Sequence, residues 1–326
     1  MFIIEDKTLD PAYNLALEEY LVTGFSEPIF RIWQNDRAVI VGRNQNTMQE
    51  INYSFLRERG IPVIRRMSGG GAVFHDLGNV NFTFVQRAGE NDFNNYARFC
   101  TPIIQALLKL GVRAELSGRN DMLIDGKKFS GNAQYMWHDR MLHHGTLMLY
   151  SDIGEVSEAL RVNPLKIQSK GIKSVSSRVT NIGDHLKEKI PVPEFIELIV
   201  ETVKELFPDA HEYVLSETDR EAVLQLREEK YATYEWNFGY SPEYSFQRDA
   251  YLKGGLFSVR LDVKDGVIRA ARIFGDYFGK REVHEVEKAL VGVRHEEEAI
   301  SATLSSFSLE DYFSGVECSE LCKLFL

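Results

Sequence analysis

The hydrophobic period along this chain switches between helix-like and strand-like stretches, and the switches divide it into elements. Leu15, Ala16, Leu17, Tyr20 and Leu21 give residues 10–22 an apolar side at helical spacing, with Asp10 as N-cap and Pro11 as first helical residue. Residues 30–33 and 38–41 are short apolar runs of strand type around the turn Asn35-Asp36-Arg37. A short helix is expected over 51–59, stopped by Gly60. Residues 61–64 start a strand, Gly69, Gly70 and Gly71 interrupt it, and 72–74 resume it. A turn at 75–78 and a returning run at 80–85 complete what reads as a glycine-rich hairpin.

Further along, Ile103, Ala106, Leu107 and Leu110 share one face of a helix over 95–110, which also carries Cys100. A strand follows at 112–116. Residues 121–150 read as consecutive strands, with Asp125-Gly126 a hairpin turn. Two amphipathic helices are expected at 193–207 and 217–231, then a linker at 241–245. Strands at 256–263 and 267–274 flank a second turn, Asp265-Gly266, before helical patterns at 283–291, 296–307 and in the tail. These elements predict an α+β protein. A chain of 326 residues suits two domains, a large one over 1–243 and a small α+β accessory one over 246–326.

Composition narrows the class. With 44% apolar and 26% charged residues the chain is of ordinary globular type, and no run approaches the ~18 apolar residues of a membrane span. The N-terminus has an acid at position 5 and no cationic segment leading a long apolar one, which argues against a signal peptide. Cys100, Cys318 and Cys322 have neither disulfide nor zinc spacing, so a cytoplasmic location is expected. The net charge of −10 is unevenly spread. Residues 184–326 hold 17 Lys+Arg against 29 Asp+Glu, and residues 1–183 hold 21 against 19. Within the first part, Arg161, Lys166, Lys170, Lys173 and Arg178 fall in a stretch without any acid, a local anion-binding signal. The acidic total speaks against nucleic-acid binding.

Candidate chemistry concentrates at residues 65–78, RRMSGGGAVFHDLG. Three glycines remove Cβ atoms from a ligand's path and expose backbone N–H groups, while Arg65 and Arg66 supply donors suited to phosphate or carboxylate. No strand-to-helix G-x-G-x-x-G or G-x-x-x-x-G-K-[ST] pattern is present. On the strand after Asp125-Gly126, alternation puts Lys128 with Ser130 on one face and Lys127 with Phe129 on the other. Gly131 and Gly145 mark close backbone approach. His138, His143 and His144 lack a metal-binding spacing and are expected to be structural or to wall a pocket.

The stretch RRMSGGGAVFHDLGNVNFTF resembles the signature of lipoate–protein ligases, and SGRNDMLIDGKKFSGNAQ, HHGTLMLY and KGIKSVSSRVTNI are similar to that family's other motifs, in the same order. The resemblance covers residues 10–180 and returns at 235–239. It implies a large mixed-sheet domain of the biotin/lipoate ligase type. It also implies ATP-dependent activation of lipoate or octanoate to an acyl-AMP, followed by transfer to a lysine of acceptor lipoyl domains. Those acceptors are E2 subunits of 2-oxoacid dehydrogenases and the glycine cleavage H protein. By motif register Lys128 is the catalytic residue. Arg66, Gly71, Ala72, Val73, Phe74, Lys128, Lys170, Lys173 and Arg178 are expected at the adenylate. Ser68, Gly69, Gly70, His75 and Lys128 are expected at the lipoate. Mg2+ accompanies ATP, with Asp121 a candidate ligand. Two alternatives remain open: a cysteine-dependent octanoyl or lipoyl transferase, which the placement of the three cysteines disfavours, and a non-catalytic lipoyl-adenylate-binding protein, which would be expected to lack the bridging lysine. The small domain is expected to cover the site, and residues 170–183 to close over the adenylate.

Overall fold

The computed structural model describes residues 1–89, 92–118, 120–160, 178–238, 246–264, 267–295 and 297–326. Its strands, in chain order, are β1 (Phe2–Glu5), β2 (Ile29–Trp33), β3 (Ala38–Val41), β4 (Val63–Arg65), β5 (Val73–His75), β6 (Asn79–Arg87) and β7 (Glu115–Ser117). There follow β8 (Asp121–Ile124), β9 (Lys127–Trp137), β10 (Arg140–Met148), β11 (His211–Glu212), β12 (Phe246–Leu252), β13 (Gly255–Lys264) and β14 (Val267–Gly275). Eight of them form one mixed sheet in the order β11-β1-β2-β6-β10-β9-β8-β7. β1 runs parallel to β11 and β2, and the remaining pairs are antiparallel. The α+β class and large mixed sheet expected from the sequence are therefore present.

Both faces of this sheet are covered, which is why β2 (IFRIW) is buried along its whole length. Helices Tyr96–Lys109 and Val192–Leu206 pack Phe99, Ile103, Phe195 and Val203 against Phe82 and Phe84 on one face. Helix Pro11–Gly24 lies against Ile29, Trp33, Val85 and Leu142 on the other. Its start follows the sequence reading: the Asp10 carboxylate accepts from Ala12 N and Tyr13 N, with Pro11 next in line. The helix is buried on more than its apolar side, because Asn14 and Glu18 also point inward.

One expectation needs correction. The glycine-rich stretch is not a hairpin. β4 and β5 do not pair with each other; both pair with β3, β4 parallel and β5 antiparallel, in a separate small sheet. The returning segment β6 belongs to the large sheet, between β2 and β10. The glycines therefore carry the chain from one edge of β3 to the other. The short helix expected over 51–59 is present as Tyr53–Glu58; a further one-turn helix, Thr47–Glu50, precedes it, and Ile51 between them bridges to Leu160.

β12, β13 and β14 form a second sheet with its own core, built from Phe257, Val259, Ile273, Leu290, Leu304 and Phe325 among others. The turn at 265–266 and the linker at 241–245, where the sequence places the domain boundary, lie outside the described residues. Among the described residues, no helix is long and apolar enough to cross a membrane.

Candidate active site

The large sheet presents a row of side chains across four strands. Trp33 on β2 lies opposite Asn81 on β6, and Asn81 opposite Thr146 on β10. Thr146 Oγ1 accepts the Gly131 N–H of β9 at 3.2 Å. Leu15, Ile40, Val73 and the glycine stretch lie over this row, and between the two layers is a cavity of about 110 Å³. Three strand spacings separate β9 from β2, so the row spans roughly 14 Å. Lys128, with 37% of its side chain exposed, marks the open end. Trp33 and His75, both buried, close the other. This is a narrow, mostly apolar slot with a cation at its mouth, a shape suited to an acyl chain with a carboxylate head.

Lys128 reaches the cavity because β9 is irregular. The register against β8 shifts between Met122 and Leu123, so the simple alternation expected across 127–130 is broken. Phe129 drops into the core, and Lys128 lies over Gly131, where an added Cβ would be 2.8 Å from its Nζ. The cavity thus takes Lys128 with Gly131 rather than with Ser130. Lys127 is exposed, as the sequence implied. Lys128 Nζ is held by Asp121 Oδ1 at 2.7 Å. Its backbone is clamped by residues 178–180: Lys128 N donates to Arg178 O at 2.8 Å, and Thr180 N donates to Lys128 O at 2.9 Å. Arg178 is thereby brought to the lysine. Lys170 and Lys173, and the rest of 161–177, lie outside the described residues.

The two arginines before the glycines act on the loop itself. Arg65 is fully buried and donates to the carbonyls of Gly42, Arg43, Gln45, Trp236 and Asn237. Arg66 donates from Nη2 to Gly69 O (2.6 Å) and Gly71 O (2.8 Å), from Nη1 to Ile40 O, and from Nε to Ser68 Oγ (3.0 Å). Burial lowers its pKa to about 10, so it keeps its charge. The loop wraps this guanidinium closely: Gly70 has φ +90°, and a Cβ there would sit 3.0 Å from Arg66 Nη2.

Ser68 also meets His144 Nε2 at 2.7 Å, and His144 Nδ1 contacts both oxygens of Glu18 at 3.0 Å. Glu18 further accepts from Thr83 Oγ1 at 2.6 Å. Burial alone would raise the Glu18 carboxyl, but His144, Thr83 and Arg31 together hold it below its ordinary value. The sequence reading missed Glu18, Thr83, Trp33 and Asn81. The available signal was polarity out of place: an acid inside an apolar helix, and Asn81 and Thr83 alternating along β6.

Of the residues expected at the ligand, Gly70, Gly71, Ala72, Val73, His75, Arg66 and Lys128 line the cavity. Phe74 instead faces the core of the small sheet, with Val39, Val41 and Leu56. Ser68 stands one step back, behind Arg66 and His144. Gly69 lies beneath the C-terminal domain, where an added Cβ would be 2.4 Å from Tyr277 O. Phe278 covers Gly70, and Glu282 pairs with Arg43 beside it. Among the described residues no cluster of three His, Cys, Asp or Glu could hold a metal by itself. Of the three histidines, His143 stacks on Phe99 in the core, His144 walls the cavity and His138 sits in a turn.

Residues 10–204 match the family model of the lipoyl protein ligase A/B catalytic domain, and residues 241–325 that of the bacterial lipoate protein ligase C-terminus. The chain is 44% identical over 325 residues to lipoate–protein ligase 1 of Staphylococcus aureus, covering 99% of each. The chain belongs to the lipoate–protein ligases. This ligase is also 42% identical to LplJ of Bacillus subtilis, again over 99% of each chain. Its fold matches that of Plasmodium falciparum LipL1, solved in complex with lipoate, at a TM-score of 0.82, 22% identity, and coverage of 99% and 98%. A lipoate–protein ligase A solved with ATP matches at a TM-score of 0.64 and 26% identity, covering 73% of this chain and 97% of that one. A thiolate transferase is not supported by Cys100 either: it is sealed in the core, and burial pushes its thiol up to about 12.

Proposed function

We propose that this ligase activates the carboxylate of lipoate, or of octanoate, with ATP and then transfers the acyl group to a lysine of an acceptor lipoyl domain. In the first step a carboxylate oxygen attacks the α-phosphorus and pyrophosphate leaves, giving acyl-AMP. In the second, the acceptor lysine amine attacks the acyl carbon, AMP leaves, the amine loses a proton and an amide remains. The observation that carries this reading is Lys128 at the open end of an acyl-sized slot, in a chain 44% identical to a lipoate–protein ligase.

A carboxylate and an α-phosphate repel, so bringing them together needs fixed positive charge. Lys128 supplies it, exchanging Asp121 for the two reacting oxygens. Each charge-assisted contact contributes roughly 1.5–3 kcal/mol. Gly71, Ala72 and Val73 give the wall beside the nucleotide, Arg66 shapes that wall from within, and Arg178 adjoins Lys128 through its backbone carbonyl. Mg2+ fits as an ion carried by the phosphates, for which one protein carboxylate such as Asp121 suffices. The C-terminal domain is accessory and covers the glycine stretch. The acceptors are lipoyl domains of 2-oxoacid dehydrogenase E2 subunits and H protein, met in the cytoplasm. The Thermoplasma acidophilum system, 28% identical over 75% of this chain, comprises a bi-partite lipoate protein ligase and its E2 lipoyl domain.

ATP–pyrophosphate exchange with lipoate, octanoate and biotin offered in turn tests the first step. Exchange with lipoate and none with biotin is expected. Acyl transfer without ATP from a carrier thioester would instead support a transferase.

A further inference from the structure

The closed end of the cavity holds a hydrogen-bond donor that the fold leaves unused. His75 is 3% exposed and lines the cavity; its Nδ1 lies 3.0 Å from Asn35 Nδ2, and its buried Nε2 has no partner among the described residues. The partners behind the ring fix which nitrogen carries the proton. Arg31 can only donate, and it does so to both the carbonyl and the side-chain oxygen of Asn14. Asn14 must then turn its amide nitrogen toward Asn35 Oδ1, at 2.9 Å. That leaves Asn35 Nδ2 as donor to His75 Nδ1, so the ring hydrogen sits on Nε2. Burial, reinforced by Arg66 and His144, lowers the His75 pKa to about 3, and the ring stays neutral at physiological pH. Asn81, on the large-sheet side of the cavity, also has a buried amide nitrogen with no partner among the described residues.

Resting on the ligase reading, we propose that His75 is the residue that selects the far end of the acyl chain. Its neutral Nε2–H favours a terminus with lone pairs, such as the disulfide sulfurs of a dithiolane, over a methyl. An apolar slot separates two chains of similar size poorly, whereas a buried donor left unpaired by one of them separates them well. A chain ending in methyl, such as octanoate, fills the slot and strands the donor. A chain ending in a dithiolane places acceptors against it.

The test compares kcat/KM for pyrophosphate exchange with lipoate and octanoate in the full-length wild type, His75→Leu and Asn35→Asp, at pH 8. Asn35→Asp replaces the donor behind the ring with an acceptor. The hydrogen then moves to Nδ1 while the cavity wall is unchanged. The wild type should favour lipoate at least fivefold. Each variant should lose roughly five- to tenfold of the lipoate-to-octanoate ratio. The loss should appear in KM, since the contact is remote from the reacting carboxylate. Nitrogen-15 NMR of the imidazole gives a readout independent of turnover: Nε2–H in the wild type, Nδ1–H in Asn35→Asp. A wild-type ratio near one, a ratio unmoved by the variants, or Nδ1–H in the wild type overturns the inference. If His75→Leu fails to fold, the Asn35→Asp ratio and tautomer decide alone. Exchange with neither acid in the wild type would instead bring down the ligase reading itself.

Discussion

Gly131→Ala should disable the first half-reaction while leaving the fold intact. A Cβ at position 131 would lie 2.8 Å from Lys128 Nζ and 3.1 Å from its Cε, with Asp121 Oδ1 next at 4.0 Å. Among the described residues beyond its chain neighbours no backbone atom is nearer, so the obstacle is the end of a flexible side chain. Restoring normal contact moves the ammonium by roughly 0.6–1 Å. That shift strains the 2.7 Å contact with Asp121 and takes the charge off the point where carboxylate and phosphate must meet. A misplacement of about 1 Å costs on the order of 10²-fold in rate, so exchange should fall about 30- to 100-fold. Stability should hold, since Gly→Ala in a strand is neutral to favourable by about 0.5–1 kcal/mol, or a Tm rise of about 1–3 °C. Gly78→Ala is the contrast: its Cβ would be 2.2 Å from the Tyr150 carbonyl oxygen, a backbone atom, and it should unfold the protein rather than inactivate it. The measurements are pyrophosphate exchange and thermal unfolding on the same samples. Full exchange in Gly131→Ala, or inactivity accompanied by a large fall in Tm, would refute the reasoning.

Lys128→Ala should abolish acyl-adenylate formation while Lys127→Ala, on the exposed side of β9, keeps most of it; equal loss in the two would remove the assignment. Asp219 accepts from Tyr20, Tyr213 and Ser216 and, as N3 residue, closes the capping box of helix Glu217–Leu226, whose N-cap is Ser216. Burial works against its charge, but these bonds bring its pKa down to about 2. A depressed folded pKa stabilises above the unfolded value near 4 and is lost as pH falls toward 2. Asp219→Asn should therefore cost about 1–2 kcal/mol at pH 7, with the gap to wild type closing between about pH 4 and 2 in urea titrations. A gap independent of pH would contradict this. Gly69→Ala meets Tyr277 O at 2.4 Å and should loosen the C-terminal domain; small-angle scattering should show a larger radius of gyration, and an unchanged profile would count against the docking.

What the sequence disclosed depends on how local each determinant was. The Asp10-Pro11 helix start and the Asp125-Gly126 turn are set by residues within a few positions, and both are where the pattern put them. The glycine stretch misled because its strands pair with β3, more than twenty residues upstream of β4, and nothing within 61–85 records that partner. The face of β9 was misread for a similar reason. Its bulge arises from pairing with β8 on one side and residues 178–180 on the other. Motif register singled out Lys128; its place on the cavity comes from the bulge and not from alternation. Glu18, Arg31 and Thr83 were invisible as a set because each is satisfied only by residues distant in sequence.

The Arg65 guanidinium has one further consequence. By binding the carbonyls of Trp236 and Asn237 as well as those of Gly42 and Arg43, it anchors the end of the large domain beside the glycine stretch. Seven residues separate Phe238, next to this anchor, from Phe246 at the start of β12. Eight residue steps reach at most about 28 Å. Even when undocked, the smaller domain would remain at an effective concentration on the order of millimolar beside the cavity. Its return would then be an intramolecular event, independent of protein concentration.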